Sequence, residues 1–140
     1  MNNGHWEFPE QMGLGKNIGF VYLIRDRLLG DFYIGKKLYK TYGRTNSGLE
    51  SNWKKYVSSS KWMTSLISSG HVTNFDFHVL EEYAAKGMVS YAETWSLCHV
   101  EAPSRKECHS KRIERIQWKV SSRISERHKE RLNALVTKPV

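Results

Sequence analysis

Two tyrosines carry the first hint of chemistry. Tyr22 sits in the apolar run Gly19-Phe20-Val21-Tyr22-Leu23-Ile24, and Tyr33 opens Tyr33-Ile34-Gly35-Lys36-Lys37 about ten residues later. Strand alternation sends Tyr33, Gly35 and Lys37 to one face and Phe32, Ile34 and Lys36 to the other. The intervening Asp26-Arg27-Leu28-Leu29-Gly30-Asp31 has turn chemistry, with Gly30 free to take a positive φ, so the second run folds back on the first. Tyr22 then lies opposite, or nearly opposite, Tyr33. Gly35 leaves a gap between a phenol and an ammonium group, and such a gap admits a phosphate, with the hydroxyls as hydrogen-bonding partners and Lys37 as a point charge. The plainer reading of the same residues is a hairpin whose aromatics only fill a core.

A carboxylate further along changes that balance. Glu93 falls in a helical stretch expected from about Met88 to Val100, with Val89 and Leu97 four residues to either side. It is therefore either half-buried beside the sheet or a surface residue. Phosphodiester hydrolysis needs a deprotonated water, charge stabilisation on the phosphate and help for the leaving oxygen. A hard divalent cation supplies much of this while borrowing only one or two protein carboxylates. A free phenol titrates near pH ~10, so tyrosine needs a neighbouring lysine or a metal to act as a base at neutrality. Lys37 shares the face of Tyr33 and is preferred over Lys36, although a bulge would exchange them.

The elements that must position these groups follow from pattern. Residues 19–25 and 31–38 read as strands, and 39–50 as a polar loop holding Arg44, with Lys40 just before it. Ser51 is placed to cap a short helix through Tyr56, and a second helix over about 60–68 presents Trp62 and Leu66 before Ser69-Gly70 ends it. Phe75, Phe77 and Val79 alternate with Asp76 and His78 as in a half-buried strand. Pro103 stops the next helix, and Ser121-Ser122 are placed to cap a last one to about Val136, with Ile124, Leu132 and Leu135 or Val136 as its apolar side. Before all of this, residues 1–17 form an irregular lead-in pinned by Trp6 and Phe8. The order predicts an α/β fold: a small mixed or antiparallel three-stranded sheet flanked by helices, with a basic C-terminal helical extension.

Val21-Tyr22 and Tyr33-Ile34-Gly35 resemble the paired signature of the GIY-YIG nucleases, with Phe20 where that family usually has its first glycine. The resemblance continues through Glu50-Ser51-Asn52-Trp53-Lys54-Lys55-Tyr56, Asn74-Phe75-Asp76-Phe77-His78-Val79-Leu80 and Tyr91-Ala92-Glu93, and is similar to a phage-encoded, homing-type branch. It implies a nuclease core over 18–103 and a metal-dependent DNA endonuclease using Mg2+ or Mn2+, acting as a monomer or a homodimer. It further implies that Glu93 binds the metal, that Tyr22 is the phenol near the attacking water and that Tyr33 orders the phosphate or water network. Lys37 assists, and Arg44, though in a loop-like context, takes the family's phosphate-holding arginine role. Many relatives carry a late asparagine near the site; here Asn133 is far down the chain and His109 or Ser110 stands in that region. The competing readings are a catalytically decayed DNA-binding protein on the same fold and an RNA-binding basic protein. The second explains the charge but not the tyrosine and glutamate pattern.

The charge is unevenly placed. The 140 residues carry a net +8, yet residues 1–104 hold 11 Lys/Arg against 10 Asp/Glu, while 105–140 hold 11 against 4. A basic segment on a neutral body fits a polyanion partner. The expected DNA contacts are Lys36, Lys40, Lys54 and Lys55, then Lys111, Arg112, Arg115, Lys119, Arg123, Arg127 and Arg131 in the extension spanning 104–140. Of these, Arg123, Arg127 and Arg131 recur every four residues as one helical stripe suited to backbone phosphates, with Trp118 nearby as a stacking or packing group. No apolar run is long enough to span a membrane and no signal-peptide pattern opens the chain, so a cytoplasmic location is expected. Cys98-His99 and Cys108-His109 would suffice in number for zinc but lack the usual close cysteine spacing, so reduced thiols are expected.

Overall fold

The structure, a computed structural model, describes residues 4–8, 17–41, 48–58, 60–70, 74–110 and 123–136. Three strands, β1 (Gly19–Asp26), β2 (Phe32–Leu38) and β3 (Phe75–Tyr83), form one antiparallel sheet in the order β2-β1-β3. Around it lie the helices α1 (Lys61–Ser68), α2 (Lys86–His99) and α3 (Glu126–Leu135). This is a small α/β fold, as the element order predicts, and among the described residues the sheet is antiparallel throughout.

Alternation along β1 divides the core in two. Val21 and Leu23 face α2 and α3 with Ile34, Leu80, Val89, Ala92, Leu97 and Leu132. Phe20, Tyr22 and Ile24 face the other way, against Trp6, Tyr39, Trp53, Met63, Phe75, Phe77 and Val79. A register shift between Val21 and Tyr22 leaves Leu80 unpaired, since Val21 lies opposite Glu81 and Tyr22 opposite Val79. Leu80 and Glu81 consequently both turn toward the helices, where Glu81 meets Arg127 of α3. A bulge of this kind re-aims side chains locally, and this one lies beside Tyr22.

Both sheet edges are covered, which keeps their free N–H and C=O groups from templating another strand. On the β3 side, Glu7 N–H donates to Phe77 O (2.8 Å) and Val79 N–H to Glu7 O (2.9 Å). On the β2 side, Phe32 N–H donates to Glu107 O (2.8 Å), His109 N–H to Phe32 O (2.9 Å) and Ile34 N–H to Ser110 Oγ (2.8 Å). These pairings draw segments outside 18–103 into the folded body. Trp6 pins the lead-in as expected, its Nε1–H donating to Trp53 O at 2.6 Å, and Phe8 packs at the margin of the same cluster.

Local details differ from the sequence reading at two caps. Ser51 does not cap a helix: its hydroxyl donates to Leu38 O (2.7 Å), and only a 3-10 turn, Trp53–Lys55, follows. The last helix is capped by Ser125, whose hydroxyl accepts from His128 N–H at 3.0 Å, while Ser121 and Ser122 lie outside the described residues. The Ser51 hydroxyl goes to a distant carbonyl that tertiary packing brings to it, whereas the Ser125 cap is local, to the N–H three residues on.

The C-terminal helix is integral to the core. Leu132 is fully buried, and so is a polar chain linking three elements. Ser96 Oγ–H donates to Ala92 O (2.7 Å), so it accepts from His128 Nε2–H (2.6 Å); His128 Nδ1 then accepts from the Tyr83 hydroxyl (2.9 Å). Burial holds His128 neutral, its pKa lowered to about 3, and pushes the Tyr83 phenol up to about 12.

Candidate active site

The cross-strand register places Tyr22 opposite Gly35, two positions from Tyr33, which lies opposite Ile24. The two phenol rings therefore meet on the diagonal, with centroids 6.2 Å apart and planes at 22°. The gap expected over Gly35 is filled by Tyr22 itself. A Cβ at Gly35 would lie 2.6 Å from Tyr22 Cζ, nearer still to its hydroxyl, and 2.9 Å from Tyr33 Cε1. Glycine is thus required at this position by the phenol above it.

A third tyrosine completes the group. The excursion after β2 is tied down by Ser51 N–H to Tyr39 O (2.8 Å) and Thr41 N–H to Leu49 O (2.8 Å), and the chain then returns across the sheet face. This brings the Tyr56 ring edge-on to Tyr22, at 6.2 Å and 78°, with a hydrogen bond between their hydroxyls. Lys37 Nζ sits 4.0 Å above the centre of the Tyr56 ring. Tyr56 ends a run that carries the family resemblance, but nothing in that run gives it a role; only the returning loop relates it to Tyr22.

Tyr22 is 1% exposed, wedged by Trp6 with ring centroids 4.9 Å apart. Burial, then the neighbouring phenols of Tyr33 and Tyr56, then the charge of Glu93 push its pKa well above the ordinary phenol range. The hydrogen bond to Tyr56 adds to this, as expected when Tyr22 donates its proton. Half-burial lowers the pKa of Lys37. Glu93 is half-buried on α2, the first of the two positions its apolar neighbours allowed.

Lys36 points to the opposite face, where its Nζ donates to Ser90 Oγ of α2 at 2.9 Å. Lys40 and Lys55 are exposed, and Lys54 pairs with Glu50 at 3.7 Å. The stripe expected on the last helix does not face solvent as a unit. Arg127 forms a bidentate pair with Glu81 (2.6 and 2.7 Å), and Arg131 donates from Nε to Val79 O (2.9 Å); Arg123 is exposed. Arg44, Lys111, Arg112, Arg115, Trp118 and Lys119 lie outside the described residues. His78 pairs with Glu7 at 3.3 Å, away from the tyrosines on the helix-facing side of β3.

The two Cys-His dipeptides are engaged separately. His99 Nε2 bonds Asn133 Oδ1 (2.8 Å), whereas His109 Nε2 bonds Asp31 Oδ2 (3.0 Å) and stacks on Trp62 at 4.2 Å. Cys98 is exposed and Cys108 buried, and among the described residues no three His, Cys, Asp or Glu side chains gather as a metal-binding cluster. Among those residues, too, no helix is long and apolar enough to cross a membrane.

Residues 5–113 match the family model for the GIY-YIG domain of the segE endonuclease, a span running from the strip on the β3 edge to the strip on the β2 edge and beyond. No curated protein and no solved structure matches the chain. The match covers more than half of the sequence and includes both tyrosine runs, the glycine beneath Tyr22 and the helix that carries Glu93; the chain belongs to the segE-type GIY-YIG endonuclease-domain family.

Proposed function

We propose that this protein is a divalent-metal-dependent DNA endonuclease that hydrolyses phosphodiester bonds at the Tyr22 face, in the manner of a phage homing-type enzyme. The observation that carries this reading is the cluster itself: a sealed neutral phenol on one sheet face with Tyr33, Tyr56 and Lys37, within electrostatic reach of Glu93. A core built only for stability gains nothing from holding an ammonium beside three clustered phenols.

The donor set fits a magnesium-type cation. Glu93 offers one hard carboxylate, and Mg2+ retains several waters while taking one or two protein carboxylates. Mn2+ shares the octahedral oxygen preference. When bound there, the ion supplies charge neutralisation at the phosphate and acidifies water.

The protein groups divide the remaining work. Tyr22 is held protonated by burial and points its own proton at Tyr56, which leaves its oxygen lone pairs to accept from a water. That water passes its proton to Tyr22 as Tyr22 passes one to Tyr56, and half-buried Tyr56 releases one to solvent. No free phenolate has to form. The water oxygen bonds to phosphorus, the bond to the leaving oxygen breaks, and the leaving oxygen takes a proton from solvent. Tyr33 and Lys37 order the phosphate. Arg44 is assigned the bidentate phosphate contact on family resemblance. Of the expected DNA contacts, Lys40, Lys55 and Arg123 are exposed and are assigned to the DNA backbone.

A plasmid nicking assay tests this reading, comparing wild type with Glu93→Gln in Mg2+ and in EDTA. Relaxation or linearisation by wild type with metal alone supports it. Equal cutting by Glu93→Gln removes Glu93 from the site. Intact DNA binding without cutting on any DNA shifts the function to a non-catalytic binder.

A further inference from the structure

Three hydrogen bonds run from the lead-in to one short segment of the chain. His5 N–H donates to Lys54 O (3.3 Å), the Trp6 indole N–H to Trp53 O (2.6 Å) and His5 Nε2–H to Tyr56 O (2.8 Å). A carbonyl only accepts, so the His5 ring carries a proton on Nε2. The acceptors belong to the 3-10 turn Trp53–Lys55 and to Tyr56, the residue that closes it. One turn of 3-10 helix leaves its last carbonyls short of partners and does not persist unsupported. Here the support comes from a segment far off in the chain. Gly4 lets the two backbones approach this closely: it takes φ +62°, and a Cβ there would stand 2.7 Å from Lys54 Cβ. The lead-in is itself anchored to β3, through the backbone pairing of Glu7 with Phe77 and Val79 and through the His5 ring, which stacks on Phe77 with centroids 3.9 Å apart. Residues 4–7 thus form a bracket from the β3 edge to the turn that delivers Tyr56.

We infer that His5 is a positioning residue for the reaction at the tyrosine face, acting through Tyr56. This rests on the reading of that face as a phosphodiester-cleaving site. Tyr22 and Tyr33 are fixed by the strand ladder, whereas Tyr56 follows a 3-10 turn outside the sheet. Its hydroxyl must nonetheless meet that of Tyr22, and its ring must lie under Lys37, 4.0 Å from Nζ to the ring centre. A hydrogen bond between two hydroxyls holds over only about 0.5 Å of separation, so the Tyr56 backbone has to be held from outside the ladder. Trp6 and Trp53 are buried and serve the core as well. His5 is exposed, and its side-chain bond goes to the backbone of a site residue. The stack on Phe77 asks only for an aromatic ring; the Nε2 donor serves Tyr56.

Separating the ring from its donor tests the assignment. His5→Phe keeps a ring for Phe77 and removes the N–H, while His5→Gln keeps a side-chain N–H of similar reach. Both are made in wild type and in Tyr56→Phe, and followed by single-turnover plasmid nicking, DNA titration, thermal unfolding and NMR of Cζ-labelled tyrosine, with Tyr22→Phe and Tyr56→Phe assigning the resonances. His5→Phe is expected to slow nicking about tenfold with DNA affinity within about twofold, and to move the Tyr22 and Tyr56 resonances. His5→Gln is expected to restore both. In Tyr56→Phe, His5→Phe should cost no further rate, because the hydroxyl it positions is already gone. Equal slowing by His5→Phe in the two backgrounds makes His5 a structural residue and overturns the assignment. Unmoved tyrosine resonances in His5→Phe overturn it as well, since Tyr56 then keeps its place without the donor. Resonances that move as expected in a protein whose wild type cuts no DNA defeat the nuclease reading on which the assignment rests, and leave the bracket an element of the fold alone.

Discussion

Replacing Gly35 with alanine tests the link between packing and chemistry most directly. The added Cβ would stand 2.6 Å from Tyr22 Cζ and 2.9 Å from Tyr33 Cε1, and Gly35 is not among the residues with positive φ, so the cost is one of contact and not of backbone. Carbon atoms settle at about 3.5 Å or more, so the Tyr22 ring must withdraw by about 1 Å. It has little room to do so, being 1% exposed with Trp6, Phe20 and Tyr56 around it. Overpacking of this kind costs about 1–3 kcal/mol, or about 3–10 °C in Tm for a chain of this length. A displacement of about 1 Å at a reacting group costs about 100-fold in rate. The assay pairs thermal unfolding with the rate of plasmid nicking below the Tm of the variant. Tyr22→Phe removes the hydroxyl that the new methyl approaches most closely. In that background Gly35→Ala should cost about 1 kcal/mol less than alone. An unchanged Tm and rate in Gly35→Ala would refute the argument, because it would mean that Tyr22 has space the structure denies it. A full-sized Tm loss undiminished in Tyr22→Phe would place the strain elsewhere.

The remaining predictions concern proton, charge and docking. Glu93→Gln should abolish metal-dependent nicking while DNA affinity stays within a few fold; parallel loss of both in a binding titration would make Glu93 structural. Tyr56→Phe leaves the ring beneath Lys37 but removes the hydroxyl partner of Tyr22, and should slow nicking by about 10- to 100-fold with little change in Tm; an unchanged rate removes Tyr56 from the proton path. Arg127→Gln leaves the nearly buried Glu81 carboxylate with the Ser125 hydroxyl but without its cation, and a loss of about 1–3 kcal/mol is expected in denaturant unfolding, with the salt slope of DNA binding unaltered. Arg123→Gln, at an exposed position, should instead lower that slope by about one with no change in stability. The folded state keeps His128 neutral, so its contribution is fully present above pH 6.5 and is lost as pH falls toward about 3. Between pH 7 and 5 this amounts to about 2 kcal/mol. Denaturant unfolding at both pH values should show that loss in wild type and a flatter profile in His128→Gln.

The residues whose partners are local were legible from sequence alone. Alternation placed Tyr33, Gly35 and Lys37 on one face because the side-chain period of a strand is two, whatever packs on it. Alternation from Phe75 to Val79 located β3, and the helical stretch expected from about Met88 to Val100 located α2; the period left Glu93 either half-buried or on the surface, and packing put it at the half-buried position. The two tyrosine runs, read with that glutamate, were enough to place the family. Tertiary structure decided everything that depended on a partner distant in the chain. Tyr56 joined the site because the loop through Ser51 returns across the sheet. The space above Gly35 proved to be the seat of Tyr22, since register sets which residue faces a glycine across a ladder. Arg127 and Arg131 followed a four-residue helical period that sequence shows well. Whether a helical face meets solvent or a sheet is settled by what docks against it, and here Leu132 and His128 seat that helix in the core and turn its arginines onto Glu81 and Val79.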